Sequence, residues 1–139
     1  MKLFLLIVLS IVFSISALAS DCNDYQVKII FDRKAVITKE ILCSQKSTDN
    51  MIFYVSKNCF DKKCEILKRK KIELIIKDYT SNLGSPGFRL CSELGGIPQI
   101  FEFTSTLANL WQSTERCLFE KDFVEISLLT KEWKNYIKK

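Results

Sequence analysis

The chain has 139 residues, 47% of them hydrophobic and 27% charged, and carries a formal net charge of +5 at pH 7. This is enough for one domain, or two small intimate ones. It contains no histidine, which excludes Ser-His and Cys-His catalysis and histidine-based metal sites.

The first twenty residues, MKLFLLIVLSIVFSISALAS, combine a single cation, Lys2, an apolar run from Leu3 to Ile15 and the small-x-small pattern Ala17-Leu18-Ala19. This is the pattern of a secretory signal peptide. The run is short for a spanning helix, which needs about 20 apolar residues. Asp21 stands directly before Cys22, where a lipoprotein box requires a small residue. The expected mature protein is therefore soluble and starts near Ser20 or Asp21. Removing the leader takes away one charge, Lys2, and lowers +5 to +4.

VKIIFDRKAVITKEILC predicts a β-hairpin. Val27, Ile29 and Phe31 alternate with more polar neighbours, DRKA can turn, and Ile37, Ile41 and Cys43 share the parity of one face. SQKSTDN is a polar turn. MIFYVS predicts a third strand with Met51, Phe53 and Val55 on one side. NCFDKKCEILKRKK fits either a short helix from about Asp61 or a loop. IELIIKDY returns to a strand pattern, and TSNLGSPG marks the organisational boundary.

SPGFRLCSELGG predicts a short helix. Ser85 suits the N-cap and Pro86 the first helical position. Phe88, Leu90, Cys91 and Leu94 fall on one side, and Gly95 and Gly96 end the helix and reverse the chain. PQIFEF and LWQSTERCLF read as two strands around TSTLAN. At the end of the chain Ser127 can cap a last amphipathic helix. Its apolar stripe is Leu129, Trp133, Tyr136 and Ile137, with Lys131, Lys134 and Lys138 opposite.

All six cysteines follow the leader. An even number in a small exported chain implies disulfides. Six cysteines allow 15 pairings, and placement along the elements favours three. Packing of the short helix on the last hairpin would bring Cys91 over Cys117, closing a loop worth roughly 3 kcal/mol in the chain-entropy model. The first hairpin would bring Cys22 near Cys43. Cys59 and Cys64 would then pair across a loop.

Other chemistry is sparse. No Gly-rich phosphate loop and no paired C-x-x-C zinc spacing occurs, and no cofactor is expected. The carboxylates Glu93, Glu102, Glu115, Glu120, Asp122 and Glu125 crowd the last third, but charged residues there fit solvated faces, and catalysis would need a formed cleft. The eccentric feature is basic. Lys62, Lys63, Lys68, Arg69, Lys70 and Lys71 put six cations within ten residues. They form a candidate anion-binding patch, diluted by Asp61 and Glu65, or a solvated turn. No nucleic-acid partner is expected.

Pro86, Cys91, Gly95, Gly96, Cys117 and Phe119 form a pattern, C-x-x-x-G-G followed by C-x-F, that resembles a family of small exported bacterial domains of unknown function labelled as hemolysins. The resemblance covers about Gly84 to Trp133. The Asp-Gly turn usual in that family after the phenylalanine is replaced here by Glu120-Lys121-Asp122-Phe123. The resemblance implies a secreted, periplasmic or lipid-anchored location and no defined mechanism.

The expected fold is α+β. A leader (1–20) precedes an N-terminal β-rich half (21–82) and a hemolysin-like helix–hairpin–helix unit (83–139). The expected function is that of an exported, disulfide-stabilised, non-enzymatic binding module of the bacterial envelope, secreted or periplasmic. Its partner would be an anionic envelope component or an envelope protein. Inhibition of an extracellular enzyme and membrane perturbation are the alternatives.

Overall fold

The computed structural model describes residues 21–77, 85–105 and 108–138. The leader, most of TSNLGSPG with the boundary at 82/83, and the middle of TSTLAN lie outside these residues.

The first hairpin forms as its pattern predicts. β1 (Cys22–Phe31) pairs antiparallel with β2 (Lys34–Lys46) around Asp32-Arg33. Both turn residues have positive φ, 48° and 61°, as the two-residue turn matching strand twist requires. β3 (Ile52–Val55) pairs with β2 along the far end of that strand, from Cys43 to Lys46. Two single-turn helices follow, α1 (Lys57–Phe60) and α2 (Glu65–Lys68). The ambiguous stretch is thus two helical turns around a bend at Lys62, whose φ is 56°.

IELIIKDY does not form the strand its pattern predicts. Among its described residues, 72–77, only β4 (Leu74–Ile75) is a strand, pairing in parallel with β8 (Ile137–Lys138). Ile72 and Ile75 are exposed and Ile76 is buried, so residues 72–77 present no continuous buried face.

α3 (Pro86–Glu93) has Pro86 in its first turn, and Ser85 stands at the N-cap without a side-chain hydrogen bond. Gly95, at φ 82°, donates its N–H to Ser92 O at 2.9 Å, and Gly96 donates to Cys91 O at 2.9 Å. These two bonds satisfy carbonyls that the helix end leaves free.

β5 (Ile97–Ser105), β6 (Gln112–Phe119) and β7 (Asp122–Glu125) form a second antiparallel meander. α4 (Ile126–Trp133) follows directly. Its N-cap is Glu125, not Ser127, and Ser127 Oγ donates instead to Glu125 Oε1 at 3.0 Å. The last helix ends at Trp133, and Lys134–Tyr136 is a 3-10 turn. Leu129 and Trp133 are fully buried, whereas Tyr136 is exposed.

The two meanders close on each other. β1 pairs with β5 and β3 with β7, giving a closed six-stranded barrel in the order β1-β2-β3-β7-β6-β5. The α+β expectation needs correcting to this extent: strands and helices are both present, but the antiparallel barrel dominates. Its closing pairs, such as Tyr25↔Ser105 and Val55↔Val124, join residues far apart in the chain and leave no local pattern. Each expected half contributes three neighbouring strands, β1-β2-β3 and β7-β6-β5, to the one barrel wall.

Two cores result. Val27, Leu42, Phe101, Phe103 and Phe123 fill the barrel interior. Outside it, the helices cover part of the wall with Leu90, Leu129 and Trp133 against Cys43, Val55, Cys117 and Val124. Leu42-Cys43 and Phe123-Val124 are therefore buried on both faces of the sheet. All three disulfides belong to the outer core: Cys22–Cys43, Cys59–Cys64 and Cys91–Cys117. These are the pairs that the element placement favours.

Candidate functional site

Beyond its pairings with β5 and β3, the first hairpin continues as a two-stranded arm. β1 pairs with β5 only as far as Ile29↔Phe101, and β2 has no strand on its outer side before Cys43 among the described residues. The apolar residues of the arm therefore face water. Phe31 is 72% exposed, Ile30 68% and Ile37 57%, with Val36 and Ile41 also exposed. Ile37, Ile41 and Cys43 lie on one face, as their parity predicts, but helices cover that face only at Cys43. Successive strand residues face opposite sides, so the arm exposes Ile30, Ile37 and Ile41 on one face and Phe31 and Val36 on the other, and exposed apolar surface of this kind marks an interaction site.

The arm is anchored twice at its base. Cys22 and Cys43 are directly opposite in register, with Cα atoms 3.9 Å apart, so their bridge ties the open end of the hairpin. Inside the barrel, Arg116 of β6 reaches across to β2. Its guanidinium donates to Glu40 Oε2 at 2.7 Å and to Gln99 Oε1 at 2.8 Å. It lies between two rings, 4.6 Å from Phe101 and 5.0 Å from Phe123, and is 3% exposed. Lacking a strand on that side, β2 is held there by a side chain.

Glu125 braces the opposite seam. Its Oε2 accepts the Tyr54 backbone N–H at 2.7 Å, and its Oε1 accepts the Thr114 hydroxyl at 3.0 Å. Tyr54 packs on Tyr25 and Phe103. Burial, followed by Tyr25 and the Glu125 charge, raises its hydroxyl pKa above the usual phenolic value.

A pocket of about 470 Å³ adjoins the arm, lined by Ile30, Phe88, Pro98, Ile100 and Phe101 with the charged pair Lys28 and Glu102. Lys28 Nζ also sits 4.7 Å over the Trp111 ring.

The structure divides the expected basic patch. Arg69 donates to Leu94 O at 2.7 Å, closing the C-terminal end of α3. Lys71 lies 4.7 Å over the Trp133 ring and 3.9 Å from Glu132. Lys62, Lys63, Lys68 and Lys70 remain exposed. The carboxylates of the last third are likewise dispersed: Glu102 pairs with Lys28, and Glu125 binds the barrel wall. Among the described residues, no group of three metal-ligating side chains occurs.

The remaining motif residues form one local unit. Cys91 is bridged to Cys117, Gly96 passes beside that bridge, and a β-carbon on Gly96 would meet the Phe119 ring at 2.9 Å. The C-x-x-x-G-G and C-x-F elements thus describe how α3 docks on β6. The arm residues escape sequence reasoning because their alternation is that of a half-buried strand. The signal that remains is Phe31 directly before the turn, at the hairpin tip.

Comparison with family models, curated proteins and solved structures finds no match for the chain. Three disulfides fit an extracellular or otherwise oxidising compartment. Among the described residues no helix is long and apolar enough to cross a membrane.

Proposed function

We propose that this chain is an exported, non-enzymatic binding module of the bacterial envelope, secreted or periplasmic, and that it engages another protein through the β1–β2 arm. The observation that carries this reading is the pairing of exposed Ile30, Phe31 and Ile37 with a base tied by Cys22–Cys43. A tied arm loses less freedom on docking than a loose loop, which favours affinity. Resemblance to the hemolysin-labelled domains fits the location and adds no lytic mechanism. Exposed Lys62, Lys63, Lys68 and Lys70 leave an anionic envelope component as a secondary contact.

The test is cross-linking of the mature protein to envelope fractions, comparing the native chain with an Ile30→Ser/Phe31→Ser variant and a variant with the four lysines changed to Ser. A stoichiometric complex lost with the arm variant supports the reading. Absence of any complex, or a complex indifferent to the arm, overturns it.

Inhibition of an extracellular or envelope enzyme is a special case favoured by the same stiffened arm. It requires a stoichiometric complex with a hydrolase or protease and loss of that enzyme's activity. Membrane perturbation through the last helix fits less well, because Trp133 is fully buried. Leakage of dye from anionic vesicles would revive it.

A further inference from the structure

We infer that the outer edge of β2 is a docking site for an extended segment of another protein, one that adds as a strand and carries an acidic residue between two apolar ones. The inference rests on the binding-module reading and specifies its partner.

The argument begins with the backbone. Around a two-residue turn, the residues flanking the turn exchange both hydrogen bonds, and every second pair repeats this. Phe31↔Lys34 flanks the turn, so Lys34, Val36, Thr38, Glu40 and Leu42 bond to β1. Ser44 continues the series, its N–H bonding to Asp21 O at 2.8 Å. Ala35, Ile37, Lys39 and Ile41 therefore point their N–H and C=O groups the other way. At Cys43 and Gln45 the same outward groups meet β3. From Ala35 to Ile41 no strand lies beside them among the described residues, and all four residues are exposed.

A row of open backbone groups in register with an existing strand pair is a template for one more strand. Proteins blunt such edges with lysines, proline, bulges or brevity. β2 has thirteen residues, and of the four outward positions only Lys39 is charged. Two are isoleucine, which favours an added strand.

The side chains choose the occupant. Ile37, Lys39 and Ile41 share the outer face, so a bound strand presents an apolar, an acidic and an apolar residue at alternate positions opposite them. Arg33 and Lys34 extend the positive charge at the tip. Neither they nor Lys39 has an ion-pair partner among the described residues, while the nearby Glu40 is already bound by Arg116. A second copy of the chain would bring the same uncompensated cations to the edge.

The probe is the peptide acetyl-Thr-Val-Thr-Asp-Thr-Val-Thr-amide, whose pattern reads the same in both directions and so suits either strand orientation. Binding to the full mature protein is measured at low salt by titration with amide hydrogen exchange. The expected result is saturable binding that slows exchange at Ala35, Ile37, Lys39 and Ile41 and leaves Val36, Thr38 and Glu40 unchanged. Replacing the peptide's Asp by Lys should weaken binding about fivefold, as expected for like charges in cross-strand positions, and Lys39→Glu should reverse that preference. Ile37→Pro removes an outward donor without touching the β1 ladder and should abolish binding.

Absence of saturable binding, or binding that protects none of the four amides, overturns the proposal. So does protection of the same amides by rising protein concentration alone, which would mark the edge as a self-association surface. An envelope complex lost with Ile30→Ser/Phe31→Ser but indifferent to Ile37→Pro overturns the edge and spares the arm as a binding element.

Discussion

A β-carbon placed on Gly96 would lie 2.4 Å from Sγ of Cys117. The sulfur is fixed by its bridge to Cys91, so it cannot move aside as a free side chain would. Gly95, by contrast, has nothing within 4 Å of such an atom but needs its positive φ. The two adjacent glycines are thus required for different reasons, one for space and one for backbone conformation.

Gly96→Ala should therefore destabilise the fold by about 1–3 kcal/mol through overpacking. Gly95→Ala should cost about 1–2 kcal/mol through the left-handed backbone alone. Urea unfolding of both variants separates the causes. The Gly96 variant should also alter the environment of Phe119, and the Gly95 variant should not.

The barrel interior makes a second prediction. Arg116 is buried and Glu40 is its charge partner at 2.7 Å. Glu40→Ala leaves the cation in place with only Gln99 and two rings, and should cost about 2–4 kcal/mol, somewhat below the range for a fully buried pair because Glu40 is partly exposed. Arg116→Met together with Glu40→Leu removes both charges and should be more stable than Glu40→Ala alone. Thermal or urea unfolding of the three proteins decides. Equal stability of the single and double variants would show that the pair does not brace β2.

The hairpin tip carries conformational cost. Arg33 adopts φ 61° with a side chain attached, a backbone region that costs a non-glycine residue roughly 1–2 kcal/mol. Arg33→Gly should raise the melting temperature unless the greater freedom of glycine in the unfolded chain cancels part of the gain. A net stabilisation of about 1 kcal/mol is expected. A fall in stability would mean that the Arg33 side chain makes a contact that offsets its backbone strain.

Asp49 supplies a pH signature. Hydrogen bonds from Lys131 first, and from Ser47 second, hold its carboxyl at about 2, below the ordinary 3.8. A depressed carboxylate pKa contributes stability above the unfolded value, and that contribution is lost as pH falls through the folded value. The window is therefore about pH 4 to pH 2, and the energy is small because the group is exposed. Lys131→Ala should raise the Asp49 titration midpoint toward 3.8, as read by carboxyl NMR shifts. No movement would show that the Lys131 contact does not form in solution.

Local features of this fold were legible and distant ones were not. Asp32-Arg33 as a turn places Cys22 opposite Cys43 by counting back along both strands. Pro86 and the Gly95-Gly96 pair bracket α3 closely. Barrel closure was not legible, because β1 meets β5 through pairings that no neighbouring residues announce. Strands buried on both faces, as at Leu42-Cys43, also lose the alternation that identifies a sheet with one wet side. Within the basic run the local roles were not legible either: Arg69 closes a helix end while staying exposed, and Lys71 covers Trp133 with its stem. The exposed arm was hidden because Ile30, Phe31 and Ile37 look like core.

The connection of the barrel also sets an order of events. A chain that emerges from its N-terminus first can complete β1–β2 and tie it with Cys22–Cys43 early, because both strands are contiguous. β1 must then wait for β5, which comes only after β2, β3, both single-turn helices and α3 have appeared. During that interval the inward side of the hairpin, with Val27 and Leu42, has no lid, and Glu40 has no arginine. A hairpin closed by Cys22–Cys43 before β5 arrives would leave Val27 and Leu42 uncovered until the second meander completes the barrel.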